Sequence, residues 1–472
     1  MDTRPGLGFR LSDLWRWDGT VDRVPYAIIG IVGFAVKHNL DRLVATIGFH
    51  KPWGIFNYIV PSPQSGSLFS LAPEDRALYA TLLVLALPFI WTGVVLTLRR
   101  LRAAGLPLVL VTFFFVPVLN LLFFLLLAML PSRPRGGEER PSEGALGRLI
   151  PESAVGSALM AVLFTVTAGL LVTLFGVGVL ARYGWGLFVG VSFCLGFGAA
   201  LLHGYHRPRS LASCLAVALC SMVMLAAVLL ALAVEGVICL MMAGPIVGAL
   251  VTLGGTLGYF VQRRSWQRAA PASAMLWVVL VPSLLMGVEE AAPPEAPLVE
   301  VRTTVEIDAP PEVVWTHVVS FSELPAPTEW IFRLGIAYPI RATIEGRGAG
   351  AVRHCVFSTG SFVEPIETWD EPRRLAFSVR SQPAPMDEWT PYPADRPPHL
   401  DGYLRSERGQ FVITPLPGRR ARLEGTTWYR HDLWPTAYWR LWSDAVIHGI
   451  HERVLRHIKG LAESPTEVAA GR

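Results

Sequence analysis

Eight apolar stretches, each near the length at which a helix spans a bilayer, constrain this chain more than any motif in it. They cover about residues 25–49, 77–98, 105–130, 156–181, 184–203, 211–234, 236–260 and 272–288. About 20 apolar residues cross the roughly 30 Å hydrocarbon core as a helix. All eight lie before residue 290, and beyond that point the character of the chain changes. Residues 1–290 carry 21 Lys/Arg and 14 Asp/Glu, whereas residues 291–472 carry 20 and 23. The overall 52% apolar and 17% charged content therefore averages two objects. One is a membrane region and the other an ordinary soluble domain. The soluble part is slightly acidic, which gives no basic surface for nucleic acid.

Five cysteines occur without a CxxC pair, four of them inside apolar runs and Cys355 alone in the soluble tail. They define no disulfide framework. The polar N-terminus lacks the apolar core and cleavage site of a signal peptide, so the first span is expected to target the chain.

Two runs need separate treatment. The first is interrupted by Lys37, His38, Asp41 and Arg42. It reads either as a tilted, partly interfacial helix or as a helix in which Lys37 marks an internal polar path. The run from Gly105 to Leu130 would be about 39 Å long as one helix, with Pro117 and Asn120 near its midpoint. If all eight runs cross, cytoplasmic flanks hold fewer Lys/Arg than outer loops, against the positive-inside rule. If 105–130 folds back instead, 16 arginines fall on one side, against Lys51, Arg76 and Arg182 on the other. The expectation is seven crossings and one re-entrant hairpin. The N-terminus is then cytoplasmic and the soluble tail outside.

The segment Asp13-Leu-Trp-Arg-Trp-Asp-Gly-Thr-Val-Asp-Arg-Val-Pro-Tyr26 and the later Arg99-Arg-Leu-Arg-Ala-Ala-Gly105 carry a resemblance. They are similar to the opening and the Arg-Arg-Leu-His-Asp-x-Gly signature of the bacterial inner-membrane family catalogued as domain of unknown function 805. Arg102 and Ala103 stand where that family has His and Asp, so any chemistry of those two is absent here. The resemblance spans roughly residues 10–135 and implies architecture without an activity. Between 156 and 288 the ionisable residues sit at span ends, which argues against a proton-coupled transporter.

Ala291-Ala-Pro-Pro-Glu-Ala-Pro297 reads as a short stiff linker. From Val299 apolar and polar residues alternate, a half-buried strand. Asp308-Ala-Pro-Pro311 then opens a helix carrying Val313, Val314, Trp315, Val318 and Val319. Strand-like segments follow near 338–346, 350–358, 361–370, 373–380, 401–415 and 420–431, then a helix from about Pro435 to Glu463. This predicts an α+β helix-grip domain, an antiparallel sheet around a long C-terminal helix, behind a multi-pass α-helical membrane region. Val305-Glu-Ile-Asp-Ala-Pro-Pro-Glu-Val-Val-Trp315, Gly348-Ala-Gly-Ala-Val-Arg353, Glu364–Leu375 and Gly425-Thr-Thr-Trp-Tyr429 resemble successive landmarks of the SRPBCC (START and polyketide-cyclase-like) superfamily. The resemblance implies a hollow fold that holds lipids, sterols, polyketides or other apolar molecules. The expected domains are 1–135, further spans 136–290, a linker 291–298, the helix-grip domain 299–465 and a disordered tail 466–472.

Cavity candidates are Arg353, Cys355 and Phe357 on one strand face, with Tyr403, Trp428, Tyr438 and Trp442. The final helix has one apolar face through Ile447, Ile450, Val454, Ile458 and Leu461, and a second through Tyr438, Leu441, Trp442 and Ala445. The second face can pack under the 381–400 loop, line a cavity or rest on the membrane. Glu364 and Glu367 fall on opposite strand faces and form no carboxylate pair. His448 and His451 lack a third ligand for a metal. No nucleotide, metal or nucleophile motif occurs in a supporting context, and no cofactor is expected. The expected function is a membrane-anchored binder of an apolar small molecule or lipid. The alternatives are an enzyme of polyketide cyclase/dehydratase type, and a membrane scaffold with a non-functional cavity.

Overall fold

The computed structural model describes residues 15–58, 73–115, 119–130, 149–180, 183–263, 270–292, 295–390 and 402–464, with Ser132, Gly147 and Leu400 singly. The expected disordered tail lies outside these residues. The N-terminal helical region contains α1 (Arg23–Leu43), α2 (Pro73–Ala104), a 3-10 turn (Leu108–Phe115) and α3 (Leu119–Met129). Then follow α4 (Ala154–Gly178), α5 (Ser192–His203, entered through a π turn from Gly186), α6 (Leu211–Ala231), α7 (Val237–Arg263) and α8 (Ala270–Ala291). Among the described residues, five helices are long and apolar enough to cross a membrane: Arg76–Ala104, Ala154–Gly178, Gly186–His203, Leu211–Ala231 and Val237–Arg263.

Residues 105–130 turn back. Arg100, fully buried at the end of α2, donates to Leu127 O and Ser132 Oγ at 2.9 Å, and to Leu130 O. Its guanidinium also reaches Val21 O at 3.3 Å, just ahead of α1. The segment therefore ends where it began, the fold-back that the charge count favours. Burying a guanidinium costs free energy unless its donors are used, and four backbone and hydroxyl oxygens use them here. In α1 the interrupting charges enclose each other. Lys37 pairs with Asp41, which also accepts from the Tyr58 hydroxyl at 2.6 Å.

Helices α5 and α7 approach closely because they meet on glycine. A methyl group at Gly254 would strike the Phe193 carbonyl oxygen, and one at Gly196 the Val251 carbonyl. Such close backbone approach supplies van der Waals packing energy between the two helices.

The C-terminal domain is a seven-stranded antiparallel sheet in the order β1-β7-β6-β5-β4-β3-β2. The strands are β1 (Val299–Ile307), β2 (Pro339–Glu345), β3 (Val352–Phe357), β4 (Gly360–Asp370), β5 (Arg374–Ser378), β6 (Leu404–Leu416) and β7 (Arg420–His431). Two short helices, α9 (Pro311–Val319) and α10 (Trp330–Arg333), connect β1 to β2. The long α11 (Thr436–Ala462) lies against the sheet. The period-two pattern of β1 is satisfied by β7, with Val299 opposite Tyr429 and Ile307 opposite Ala421. Val454, Leu455 and Ile458 of α11 close the core over Leu375, Ile413 and Leu423. This is the helix-grip arrangement.

The domain is docked on one end of the helical bundle. Tyr183 O, between α4 and α5, accepts from Trp434 N at 2.9 Å, and the Tyr438 hydroxyl donates to Met242 O in α7. The Glu388 carboxylate takes the N–H groups of Ile238 and Cys239 at 2.9 and 2.8 Å. A carboxylate at a helix start satisfies orphan donors and complements the helix dipole. Ile238 packs with Phe332, Ile336, Met386 and Leu400 of the domain. The rings of Phe188 and Trp439 meet edge to face at 4.9 Å. Of the second apolar face of the final helix, Tyr438 meets the bundle, whereas Leu441 and Ala445 stay exposed.

The arginines of the described loops lie at the opposite end. There Arg209 N donates to Gln262 Oε1 at 3.1 Å, and its guanidinium to Glu152 O at 2.8 Å. The return of α3 joins this end, because Leu126, Leu127 and Leu130 pack with Met160 and Leu163 in the first turns of α4.

Candidate functional site

Strand β3 points Arg353, Cys355 and Phe357 inward, all three buried. The β3–β4 hairpin places Glu364 directly opposite Arg353. Their side chains, 2% and 8% exposed, form an ion pair at 2.5 Å. Three phenylalanine rings surround the guanidinium, Phe321, Phe377 and Phe411, with centroids 5.6, 5.6 and 5.4 Å from Arg353 Cζ. Each distance is within cation–π range. Arg353 Nε has no hydrogen-bond partner among the described residues. The sheet interior is thus an apolar aromatic wall holding one charged pair and one donor to spare.

Burial raises the Glu364 carboxyl, and the Arg353 charge draws it back. Burial pushes the Cys355 thiol up to about 12, which keeps it protonated and unreactive. A nucleophilic role for Cys355 has no support in this setting.

The other candidates separate into two groups. Tyr403 and Tyr438 lie at the junction with the bundle, Tyr403 stacking edge to face on Tyr183 at 5.2 Å. Trp442 is half-buried one helical turn after Tyr438. Trp428 differs from expectation. It lies on the outer sheet face, where its indole donates to Glu300 at 3.0 Å and Arg408 stacks at 4.7 Å. Strand parity explains this, since Thr427 and Tyr429 take the inward positions beside it and reach α11.

The pair His448 and His451 is tied to the sheet. Thr303 Oγ1 lies 2.8 Å from His448 Nδ1 and 3.1 Å from His451 Nδ1, and Thr427 Oγ1 lies 2.8 Å from His451 Nε2. Both ring nitrogens of His451 are therefore occupied by hydroxyls. Among the described residues, no group of three or more His, Cys, Asp or Glu is placed to hold a metal.

Sequence reading misses two features. The Arg353–Glu364 pair was accessible: counting outward from the two-residue turn Ser358–Thr359 sets 353 opposite 364. A cleft of about 390 Å³ at the sheet rim, between residues 379–384 and 400–407, was not. No motif marks it.

Residues 299–396 match the family model described as polyketide cyclase / dehydrase and lipid transport. That match covers β1 to β5, and the structure completes the fold with β6, β7 and α11. No curated protein matches the chain. Among solved structures, the protein XoxI from Bacillus cereus is 16% identical, with a TM-score of 0.23, over 35% of this chain and 95% of that one. Truncated norcoclaurine synthase from Thalictrum flavum is 12% identical, with a TM-score of 0.25, over 36% and 97%. The same enzyme in complex with dopamine and hydroxybenzaldehyde covers 35% and 87%, again at 12% identity, with a TM-score of 0.24.

Proposed function

We propose that the protein is a membrane-anchored binder whose helix-grip domain holds a lipid or other apolar small molecule. The observation that carries this reading is the sheet interior: phenylalanines around a single buried charged pair. Binding sites for small apolar ligands combine an apolar wall with a few placed polar groups. Arg353 Nε is a donor of that kind. The family description, polyketide cyclase / dehydrase and lipid transport, supports the same reading. Arg353 and Glu364 converge, as a catalytic pair must, but they bond to each other, which favours binding over turnover. The full chain purified in mild detergent is expected to retain an apolar compound detectable by mass spectrometry after extraction. A chain ending at Glu290 should lack it. Equal retention by both chains, or no retained compound and no uptake of added apolar probes, would exclude the reading.

The anchoring part of the proposal places the N-terminus in the cytoplasm of a bacterial cell and the helix-grip domain on the outer side of the inner membrane. It is supported by the collection of Arg99, Arg100, Arg102, Arg207, Arg209 and Arg263 at the end of the bundle away from the domain. Alkaline phosphatase fused after Arg472 is expected to be active, and a fluorescent protein there dark. The reverse pattern would refute the orientation.

A further inference from the structure

The cleft at the sheet rim lies against the bundle. Leu400, in its wall, packs on Ile238 at the start of α7. Tyr403, next to lining residue Gly402, stacks on Tyr183 between α4 and α5. The ends of membrane-spanning helices mark the bilayer surface, so this cleft opens beside the leaflet under the domain. Its volume, about 390 Å³, is within the roughly 300–1,000 Å³ range of small-ligand sites.

Among the described residues, its charges are not balanced. Arg405 is paired with Asp432 at 3.1 Å, and Glu407 with Arg430 at 3.7 Å. Arg380, exposed in the lining, has no carboxylate partner among the described residues. Gln382 fixes the shape between them, since its amide donates to Leu404 O and accepts from Ser406 N at 2.8 Å. The hydroxyls of Ser381 and Ser406 add further donors. A guanidinium without a carboxylate partner among the described residues, flanked by hydroxyls on a fixed backbone, matches the oxygens of a phosphate.

We propose that this cleft receives the phosphate-bearing anionic headgroup of a lipid from the adjoining leaflet, with Arg380 as its main contact. The inference rests on the reading of the domain as a lipid binder and names the class of lipid. It adds a headgroup site at the rim to the apolar interior.

The test uses the full chain in detergent, with phosphatidylglycerol and phosphatidylcholine carrying the same fluorescent acyl chain. Phosphatidylglycerol is expected to bind about tenfold more tightly, the weight of a charge-assisted hydrogen bond. Arg380→Glu should abolish that preference and Arg380→Lys should retain most of it. Equal affinity for the two lipids, or a preference that survives Arg380→Glu, overturns the headgroup site and leaves the apolar-ligand reading intact. Failure to bind either lipid overturns the headgroup site and the lipid part of that reading. Complete displacement of phosphatidylglycerol by inorganic phosphate would assign the cleft to free phosphate and overturn the lipid source.

Discussion

Arg353→Met alone is expected to destabilise the helix-grip domain by about 3–5 kcal/mol, and Glu364→Leu alone by a similar amount. Each leaves a charge in the interior with its counter-ion gone. The remaining carboxylate or guanidinium has no water to turn to, since the side chains are 2% and 8% exposed. The double variant Arg353→Met/Glu364→Leu should recover most of that loss, because two apolar side chains of similar volume avoid the desolvation that the ion pair only partly offsets. Urea unfolding of the full chain in detergent, followed by tryptophan fluorescence, measures all three and closes a double-mutant cycle. Near-additive losses would mean that the two residues do not act as a pair. The same double variant also separates stability from binding. It should fold, yet lose the polar anchor for a ligand in the interior.

Stability is expected to fall as pH drops from about 6.5 toward 4, and His451 accounts for much of the slope. Burial between α11, which carries it, and strands β1 and β7, with the neighbouring His448 charge adding, lowers His451 from 6.5 to about 4. Between those values the unfolded chain binds a proton that the folded chain refuses. The stabilisation is thus complete above about 6.5 and lost as pH falls through the folded value. The loss amounts to about 3 kcal/mol in total. His431 and His457 are also lowered by burial and contribute in the same direction. Comparison with His451→Gln isolates the one residue: glutamine can still bond to Thr303 and Thr427 but does not titrate. A variant with the same acid slope as the natural chain would show that His451 is not responsible.

Local pattern carries far in this sequence, and its reach ends where partners are distant. The expected strand at 338–346 is observed as Pro339–Glu345, and the helix from Pro435 to Glu463 as Thr436–Ala462. Alternation and helical period record which face is buried, so boundaries follow directly. The return of 105–130 to the end of α2 agrees with the fold-back that the charge count favours. Trp428 went astray because an aromatic residue serves a cavity and an outer sheet face equally well, and only parity with Thr427 separates them. Glu388 gave no local sign of its role. It lies in a loop 149 residues beyond Cys239, whose N–H group it accepts, and nothing near either residue records that meeting.

The docking of the domain bears on how its ligand is sought. A fragment cut at the linker would carry Phe332, Ile336, Met386 and Leu400 to water without Ile238. Such a fragment has a fresh adhesive scar where the bundle stood. Apolar dyes and stray lipids would settle on it, and two fragments would clump through it. A signal from the excised piece would therefore report the wound of the cut, whereas the intact chain keeps that surface sealed and leaves the interior and the rim cleft to be probed.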